Sequence, residues 1–172
     1  MSKNKNIFLI GPMGVGKTTI GRVLAKRLGK RFYDSDDEIE RKTGAPISLI
    51  FDIEGESGFR RRESKVIDEL TLKNGVVLAT GGGAILSSLN QQMLSQRGIV
   101  IFLEASAELL IQRTKYDTKR PLLHTKDRRM KIKSLLQERE QIYSRVADSR
   151  INVDNMSIKE TIKQITEYIH KK

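Results

Sequence analysis

Residues 11–18 constrain the fold of this chain more than any other segment. They read GPMGVGKT, which fits the pattern G-x-x-x-x-G-K-[ST]. The apolar run Ile7–Ile10 precedes the segment, and a helical pattern over Lys17–Leu28 follows it. A strand that enters a glycine-rich loop and continues as a helix is the context that this phosphate-binding loop requires. We therefore predict a P-loop at residues 11–18.

The loop predicts a binding site for a nucleoside triphosphate, because its backbone N–H groups and the positive end of the following helix attract phosphate oxygens. Lys17 adds a mobile cation for the β- and γ-phosphates, and the Thr18 hydroxyl is a hard oxygen ligand suited to Mg²⁺. A glycine-rich turn that only joins strand to helix is the alternative. We predict ATP as co-substrate with Mg²⁺, bound by Gly14, Val15, Gly16, Lys17, Thr18 and Thr19.

Short apolar runs alternate with helical patterns along the chain, which is typical of an α/β fold with a parallel sheet. Strands covered on both faces form unalternating runs rich in β-branched residues. The candidate strands are Ile7–Ile10, Arg31–Asp34, Val76–Ala79, Ile99–Leu103 and Arg150–Val153. The predicted helices are Lys17–Leu28, Asp36–Thr43, a short helix from Pro46, Ser57–Lys73, Ser87–Gln96, Ala105–Arg113, Arg128–Asp148 and Ser157–His170.

The length of 172 residues suits one domain, and no repeat or linker divides the chain. With no Cys and two His, the chain cannot form disulfides and lacks the usual ligands of structural zinc. The run Ile7–Ile10 is too short for a signal peptide, and no segment approaches the roughly 20 apolar residues of a membrane span. We therefore expect a cytoplasmic protein without a membrane partner. The net charge of +11 favours anionic ligands.

Two aspartates, Asp34 and Asp36, follow the second candidate strand. If the strand continues, residues two apart project to the same side at its carboxyl end, where parallel sheets bind ligands. The later strand Val76–Ala79 ends without a carboxylate, so Asp34 is the better candidate for the Mg²⁺ side. Asp36 can accept the proton of an attacking hydroxyl. Alternatively, Asp36 only caps the following helix, which explains Asp34 poorly.

Charged side chains interrupt two apolar helical stripes. Arg139 lies on the inward stripe of the predicted helix Arg128–Asp148. A buried guanidinium needs a counter-charge, which a ligand carboxylate would supply. In the helix Ser57–Lys73, Glu63 lies on an apolar stripe and Arg60 lies within pairing reach of it. We predict that these groups hold hydroxyls and a carboxylate of a small acceptor; a snorkelling Arg or an internal ion pair is the alternative.

A glycine turn and a basic loop complete the candidate site. Three consecutive glycines, Gly81, Gly82 and Gly83, follow a strand and let the backbone approach a bound molecule, unless they form only a flexible turn. The segment from Arg113 to Lys131 carries eight Lys or Arg residues against two Asp, which suits a lid that closes on a triphosphate. Such a loop also suits nucleic-acid phosphates, but Tyr116 is its only aromatic residue, so the stacking platforms of single-strand binders are missing.

The chain resembles the shikimate kinases. The resemblance rests on the P-loop and on five further motifs in the family's order across nearly the whole chain. These motifs are Asp34-Ser35-Asp36, Gly58-Phe59-Arg60 with Glu63, Gly81-Gly82-Gly83, Arg120-Pro121-Leu122-Leu123, and Arg139 followed by Tyr143. The resemblance implies a parallel sheet of five strands of the nucleoside-monophosphate-kinase type. It also implies transfer of the ATP γ-phosphoryl group to the 3-hydroxyl of shikimate, in chorismate and aromatic amino-acid biosynthesis.

The same resemblance implies roles for individual residues. Asp36, Lys17 and Arg120 are the implied catalytic residues, with Asp36 on the ring hydroxyls and Arg120 reaching the phosphates from the lid. Shikimate is held by the set Asp36, Arg60, Glu63, Gly81, Gly82, Gly83 and Arg139, with the two arginines around its carboxylate. Arg113 lies near the adenine, and Met156 stands where the family has an adenine contact. Thr18 organises Mg²⁺ together with Asp34, the latter through water.

The resemblance further implies one monomeric kinase domain over residues 1–172. Within it, the P-loop spans residues 11–18, the substrate-binding segment about residues 35–63 and the lid about residues 113–127. The expected partners are ATP and shikimate, without nucleic acid. A kinase for another small acid, such as gluconate, and an NTPase that binds nucleic acid remain as alternatives.

Overall fold

The computed structural model describes residues 5–172 and shows a parallel sheet of five strands between two layers of helices. The strands are β1 (Asn6–Ile10), β2 (Arg31–Asp34), β3 (Val76–Ala79), β4 (Gly98–Glu104) and β5 (Ser149–Asn152). The helices are α1 (Lys17–Leu28), α2 (Ser35–Thr43), α3 (Ile47–Thr71), α4 (Ser88–Arg97), α5 (Ala107–Arg113), α6 (Arg128–Val146) and α7 (Ile158–His170).

The strands follow the order β2-β3-β1-β4-β5, and each neighbouring pair is parallel. All five residues of β1 are buried, because this strand lies in the middle of the sheet and is covered on both faces. Its side chains alternate between two cores: Ile7 and Leu9 pack in one cluster, while Phe8 and Ile10 pack in the other. The predicted α/β fold is confirmed.

Helix α3 contains the two helices that the sequence predicts, joined across a break. It runs from Ile47 to Thr71, but the backbone leaves helical geometry at Gly55, where φ is 70° and ψ is −179°. Glycine adopts this left-handed conformation without a steric penalty, so the chain turns there and continues as a helix. The break separates a first segment, which carries Ile47 and Phe51, from a second segment, which carries Arg60 and Glu63.

Most other helix boundaries agree with the prediction within one or two residues. Helix α1 and strand β3 have the predicted bounds, whereas α5 begins at Ala107 and α6 ends at Val146. Two short 3₁₀ turns, Ala84–Leu86 and Pro121–Leu123, were not predicted. Between residues 5 and 172, none of the helices is both long and apolar enough to cross a bilayer. The leader prediction concerned in part residues 1–4, which lie outside the described residues.

Candidate active site

Three neighbouring strands bring the predicted site residues to one edge of the sheet. The P-loop follows β1, Asp34 ends β2, and the turn from Thr80 to Gly83 follows β3. Because β1, β2 and β3 are parallel and adjacent, their carboxyl ends lie side by side. Segments that are far apart in sequence therefore meet at the edge where α/β proteins bind ligands.

The phosphate loop is held in place by its own backbone and by two cations. Lys17 Nζ donates hydrogen bonds to the carbonyl oxygens of Gly11, at 2.6 Å, and Pro12, at 2.8 Å. Arg113 Nη1 donates to the Val15 carbonyl at 2.9 Å, which ties α5 to the loop. Burial and the charge of Arg120 lower the pKa of Lys17 to about 7. Phosphate oxygens would supply the negative charge that this buried ammonium lacks.

Asp34 has a local role, as a helix cap, in addition to the one predicted. Strand β2 ends at Asp34 and α2 begins at Ser35, so the two aspartates do not project from one continuing strand. Instead, Asp34 Oδ1 accepts the N–H groups of Asp36, at 2.9 Å, and Asp37, and so caps the helix. The alternative that Asp36 is the cap is therefore wrong. The other oxygen, Asp34 Oδ2, accepts the Thr18 hydroxyl at 2.6 Å.

All residues predicted to bind ATP line one cleft of about 400 Å³. They are Gly14, Val15, Gly16, Lys17, Thr18, Thr19, Arg113, Arg120 and Met156. The cleft continues past Arg113 to Val153, Met156 and Ile158. The Met156 thioether accepts a hydrogen bond from Gln164 Nε2 at 3.2 Å. This end is apolar enough for a nucleobase to pack.

All residues predicted to bind the acceptor line a second, adjoining cavity of about 80 Å³. They are Asp36, Arg60, Glu63, Gly81, Gly82, Gly83 and Arg139. The residues shared by the cleft and this cavity are Met13, Asp36, Gly81, Gly82 and Arg120. Asp36 and Arg120 therefore stand where a phosphate in the cleft and a molecule in the cavity would meet.

The acceptor cavity concentrates buried polar atoms without partners. Asp36 Oδ1, Arg60 Nε, Glu63 Oε2 and Arg139 Nε are all buried and lack a hydrogen-bond partner among residues 5–172. The side chains of Glu63 and Arg139 are 0% and 4% exposed. Leaving buried polar groups unpaired is costly, so the cavity favours a ligand that carries both acceptor and donor groups.

The charges in this cavity are paired only in part. Arg60 Nη1 donates to Glu63 Oε1 at 2.8 Å, and Arg60 Nη2 donates to Glu56 Oε1 at 3.2 Å. Burial raises the pKa of Glu63, and the charge of Arg60 opposes this rise. Burial, with the negative charges of Asp34 and Glu63, raises the pKa of Asp36 to about 7. A carboxyl with a pKa near 7 can exchange a proton with a reacting hydroxyl.

The glycine turn allows the charged groups to approach closely. A Cβ added at Gly81 would lie 2.7 Å from Glu63 Oε2 and 2.9 Å from Asp36 Oδ1. A Cβ added at Gly83 would lie 2.2 Å from Arg60 Nη2. A side chain at either position would displace the end of Glu63, Asp36 or Arg60 from its present place, so these two glycines allow the observed arrangement of charges.

The predicted lid lies between α5 and α6 and is tied at its base. Arg128 donates to the carbonyl oxygens of Thr114, at 2.5 Å, and Lys115 and Asp117, each at 2.9 Å. Arg120 forms an ion pair with Asp117 and lines both cavities. Burial lowers the pKa of Arg120, and the negative charges of Asp36 and Asp34 oppose this decrease.

Several lining residues were not predicted from the sequence. Phe51 and Phe59 pack against each other in the acceptor cavity, with ring centroids 4.8 Å apart. The two rings lie on opposite sides of the Gly55 break, so helical periodicity across α3 does not bring them together. Met13 faces both cavities, and no signal in the sequence distinguished it from the other variable positions of the P-loop.

A sequence model of one family, described as shikimate kinase, matches residues 13–170. A shikimate kinase from Legionella pneumophila (strain Corby) is 54% identical over 168 residues, which is 98% of this chain and 96% of the relative. One from Buchnera aphidicola subsp. Schizaphis graminum is 52% identical over 172 residues, with 99% of both chains covered.

Solved structures give the same result. The shikimate kinase from Acinetobacter baumannii in complex with shikimate aligns with a TM-score of 0.95 at 48% identity, over 97% of this chain and 93% of that one. The shikimate kinase from Aquifex aeolicus aligns with a TM-score of 0.83 at 35% identity, over 96% of each chain.

Proposed function

The chain belongs to the shikimate kinase family, and we propose that its two adjoining cavities hold ATP and shikimate for the family's reaction. It is an ATP-dependent kinase that forms shikimate 3-phosphate and ADP. One observation carries the assignment of the acceptor site: four residues that line one cavity beside the phosphate cradle each have a buried polar atom without a partner in the described chain. Shikimate supplies a carboxylate and three hydroxyls, which match such a set.

The carboxylate of shikimate is proposed to bind between Arg60 and Arg139. Arg139 is almost fully buried and forms no ion pair within the described chain, whereas Arg60 is already paired with Glu63. A ligand carboxylate supplies the counter-charge that the second guanidinium lacks. Glu63 then serves to orient Arg60, and Gly81, Gly82 and Gly83 let the ligand approach the backbone.

Asp36 is proposed to contact the reacting hydroxyl and to accept its proton. Its carboxyl group lies where the two cavities meet, and its raised pKa suits a base that works near neutral pH. Lys17 and Arg120 approach the same point from the P-loop and the lid. In phosphoryl transfer, most of the rate enhancement comes from positioning and from charge stabilisation of the transferring group. We assign that stabilisation to these two cations.

Mg²⁺ is proposed to be held beside Thr18 and Asp34. Their hydroxyl and carboxylate are hard oxygen ligands only 2.6 Å apart, directly beside the phosphate cradle. Residues 5–172 contain no cluster of three His, Cys, Asp or Glu that could hold a metal alone. Mg²⁺ in ATP-dependent enzymes is bound through one or two protein groups plus phosphate oxygens and waters, so this pair fits it. When bound, the ion neutralises charge on the phosphates.

The organisation of the protein is also a proposal. We propose one monomeric kinase domain over residues 1–172 that acts in the cytoplasm, with residues 35–63 as the substrate-binding segment and residues 113–127 as the lid. Support comes from the continuous sheet, from the acceptor residues on α2 and α3, and from Arg120 between α5 and α6. Size-exclusion chromatography with light scattering measures the mass directly; a dimer mass would contradict the monomer.

The function is tested by ADP release from Mg-ATP in a coupled assay. Shikimate, gluconate, a nucleoside monophosphate and DNA are compared as the added partner. Strong stimulation by shikimate alone is expected. Stimulation by gluconate would move the assignment to another small acid, and salt-sensitive stimulation by DNA would support a nucleic-acid-dependent NTPase. No stimulation by shikimate would overturn the proposal.

A further inference from the structure

The backbone of the glycine turn is partly fixed by groups outside it. The Gly81 N–H donates to Ser35 Oγ at 3.0 Å, and the Gly81 carbonyl accepts the Ala84 N–H at 3.1 Å. The Gly82 carbonyl accepts a hydrogen bond from the Tyr143 hydroxyl. Within residues 5–172, the N–H groups of Gly82 and Gly83 have no partner. These two donors are the groups of the turn that remain for a ligand.

Tyr143 determines the direction of one of these donors. The Gly82 carbonyl and the Gly83 N–H belong to the same peptide unit, which is planar and trans, so they point in opposite directions. A hydroxyl that holds the carbonyl on one side therefore directs the Gly83 N–H to the other side. Gly83 lines the acceptor cavity, next to the guanidinium of Arg60.

The Tyr143 side chain is itself fixed. It is 1% exposed, and its ring stacks on Phe102 with centroids 4.9 Å apart. Burial raises the pKa of Tyr143 to about 12, and the nearby charge of Arg139 opposes this rise. The hydroxyl thus keeps its proton at neutral pH and remains a donor. Arg139 lies one helical turn before Tyr143 on α6. Tyr143 therefore lies beside both the glycine turn and the buried guanidinium of Arg139.

We propose that Tyr143 is a positioning residue for the acceptor carboxylate: its hydroxyl holds the Gly82 carbonyl so that the Gly83 N–H and Arg139 face the carboxylate together. This role rests on the proposed function, because it assumes that shikimate occupies the cavity lined by Arg60 and Arg139. Tyr143 does not line that cavity, so its effect on the acceptor is transmitted through the glycine turn and through Arg139, which hydrogen-bonds with the Tyr143 hydroxyl.

The variant Tyr143→Phe removes the hydroxyl and keeps the ring on Phe102. We expect the KM for shikimate to rise about tenfold, the effect of one misplaced hydrogen bond, while the KM for ATP stays within about twofold. The matched control is Tyr168→Phe. Tyr168 likewise donates to a backbone carbonyl, that of Asp148 at 2.8 Å, but outside both cavities. The control should leave both KM values unchanged.

The methyl ester of shikimate separates positioning from a general structural role. The ester lacks the negative charge that the Gly83 N–H and Arg139 are proposed to bind. The ratio of kcat/KM between wild type and Tyr143→Phe should therefore be about ten for shikimate and close to one for the ester. An equal loss on both substrates, or no change with shikimate, would overturn the positioning role.

A second variant keeps the inference testable if Tyr143→Phe does not fold. Phe102→Leu loosens the support of the ring but leaves the hydroxyl present, and it should raise the KM for shikimate about threefold with no change for the ester. An unchanged KM for shikimate in this variant would contradict the inference. Wild-type enzyme that fails to phosphorylate shikimate would instead overturn the proposed function, so the two failures are distinguishable.

Discussion

The nucleotide cleft and the acceptor cavity adjoin each other, but their polar groups are satisfied to different degrees. In the cleft, Lys17 is bonded to loop carbonyls and Thr18 to Asp34. In the cavity, Arg60 and Arg139 each retain a buried nitrogen without a partner in the described chain. The protein therefore satisfies the hydrogen bonds of Lys17 and Thr18 with its own groups and leaves only the charge of Lys17 for a phosphate, whereas the acceptor cavity leaves buried hydrogen-bonding groups for the ligand.

This difference separates general binding from specificity. Backbone groups of a P-loop suit any nucleoside triphosphate. The cleft therefore accounts for nucleotide binding but not for the choice of acceptor. Buried charges without partners reject ligands that cannot pair with them, because an unpaired polar group in a closed site is costly. The choice of shikimate is therefore expected to depend on Asp36, Arg60 and Arg139 rather than on the P-loop.

The largest expected effect concerns Arg120, which borders both regions. Arg120→Ala should lower turnover by roughly 10³-fold or more, because a cation that stabilises the transferring phosphoryl group is lost. Lys126→Ala, at an exposed position of the same lid, is the control and should retain wild-type turnover. Steady-state kinetics of both variants provide the measurement. A drop of less than about tenfold would remove Arg120 from the catalytic assignment.

The next largest effect is expected on turnover at Asp36. Asp36→Asn should lower turnover by about 10²-fold or more, since the amide cannot accept the proton. The exposed neighbour in the same turn, Asp37→Asn, is the control and should keep its turnover. Kinetics with saturating shikimate and ATP provide the measurement, and near-normal turnover in Asp36→Asn would contradict its role as base.

The same variant should make the free protein more stable. The pKa of Asp36 is raised from 3.8 to about 7, so the folded state binds its proton more tightly than the unfolded state does. Ionisation of Asp36 therefore does not affect the free energy of unfolding below pH 3.8. It lowers the free energy of unfolding increasingly as the pH rises, and the loss is complete above about pH 7. Urea unfolding at pH 8 should give Asp36→Asn an advantage on the order of 1–4 kcal/mol that shrinks toward pH 5. An advantage that grows toward pH 5 would contradict this.

A smaller and more selective effect is expected on the acceptor side at Arg139. Arg139→Ala should raise the KM for shikimate about 50-fold, because charge-assisted hydrogen bonds to the carboxylate are lost, and should change the KM for ATP little. Arg145→Ala, an exposed position on α6, is the control. An equal rise of the KM for shikimate and the KM for ATP would contradict a role of Arg139 in the acceptor cavity alone.

The smallest effect is expected on the nucleotide side at Asp34. Asp34→Asn keeps a side chain that caps α2 but removes the charge near Mg²⁺. The Mg²⁺ concentration for half-maximal activity should rise about tenfold, with the KM for shikimate unchanged. Activity titrated with Mg²⁺ at fixed ATP gives the result. An unchanged Mg²⁺ requirement would exclude Asp34 from the metal site.

The sequence indicated residues of both regions, but through different kinds of signal. The P-loop is contiguous, so its strand, loop and helix could be identified from one short pattern. Arg139 and Glu63 could be identified because a charge on a buried helical stripe contradicts the periodicity around it. Both are local signals, and the structure places these residues in the cleft and the cavity where they were expected.

Other features depend on contacts that no local pattern records. The point at which β2 ends makes Asp34 a helix cap, whereas the spacing of the two aspartates was interpreted on the condition that the strand continues past Asp34. The sequence predicts the two helices of α3, but it does not show that a single glycine conformation, at Gly55, separates them and redirects the chain. Tyr143 and Gly82 are 61 residues apart, and only the packing of α6 against the sheet brings them together.

A crystal structure with shikimate and without nucleotide tests the central claim most directly. We predict that the carboxylate lies between Arg60 and Arg139 and that a ring hydroxyl contacts Asp36. Lys17 should meanwhile keep its bonds to the loop carbonyls of Gly11 and Pro12. A carboxylate bound away from both arginines, or a P-loop rearranged by shikimate alone, would contradict this account. In it, the hydrogen bonds of the cleft are satisfied within the protein, and those of the cavity are completed by the ligand.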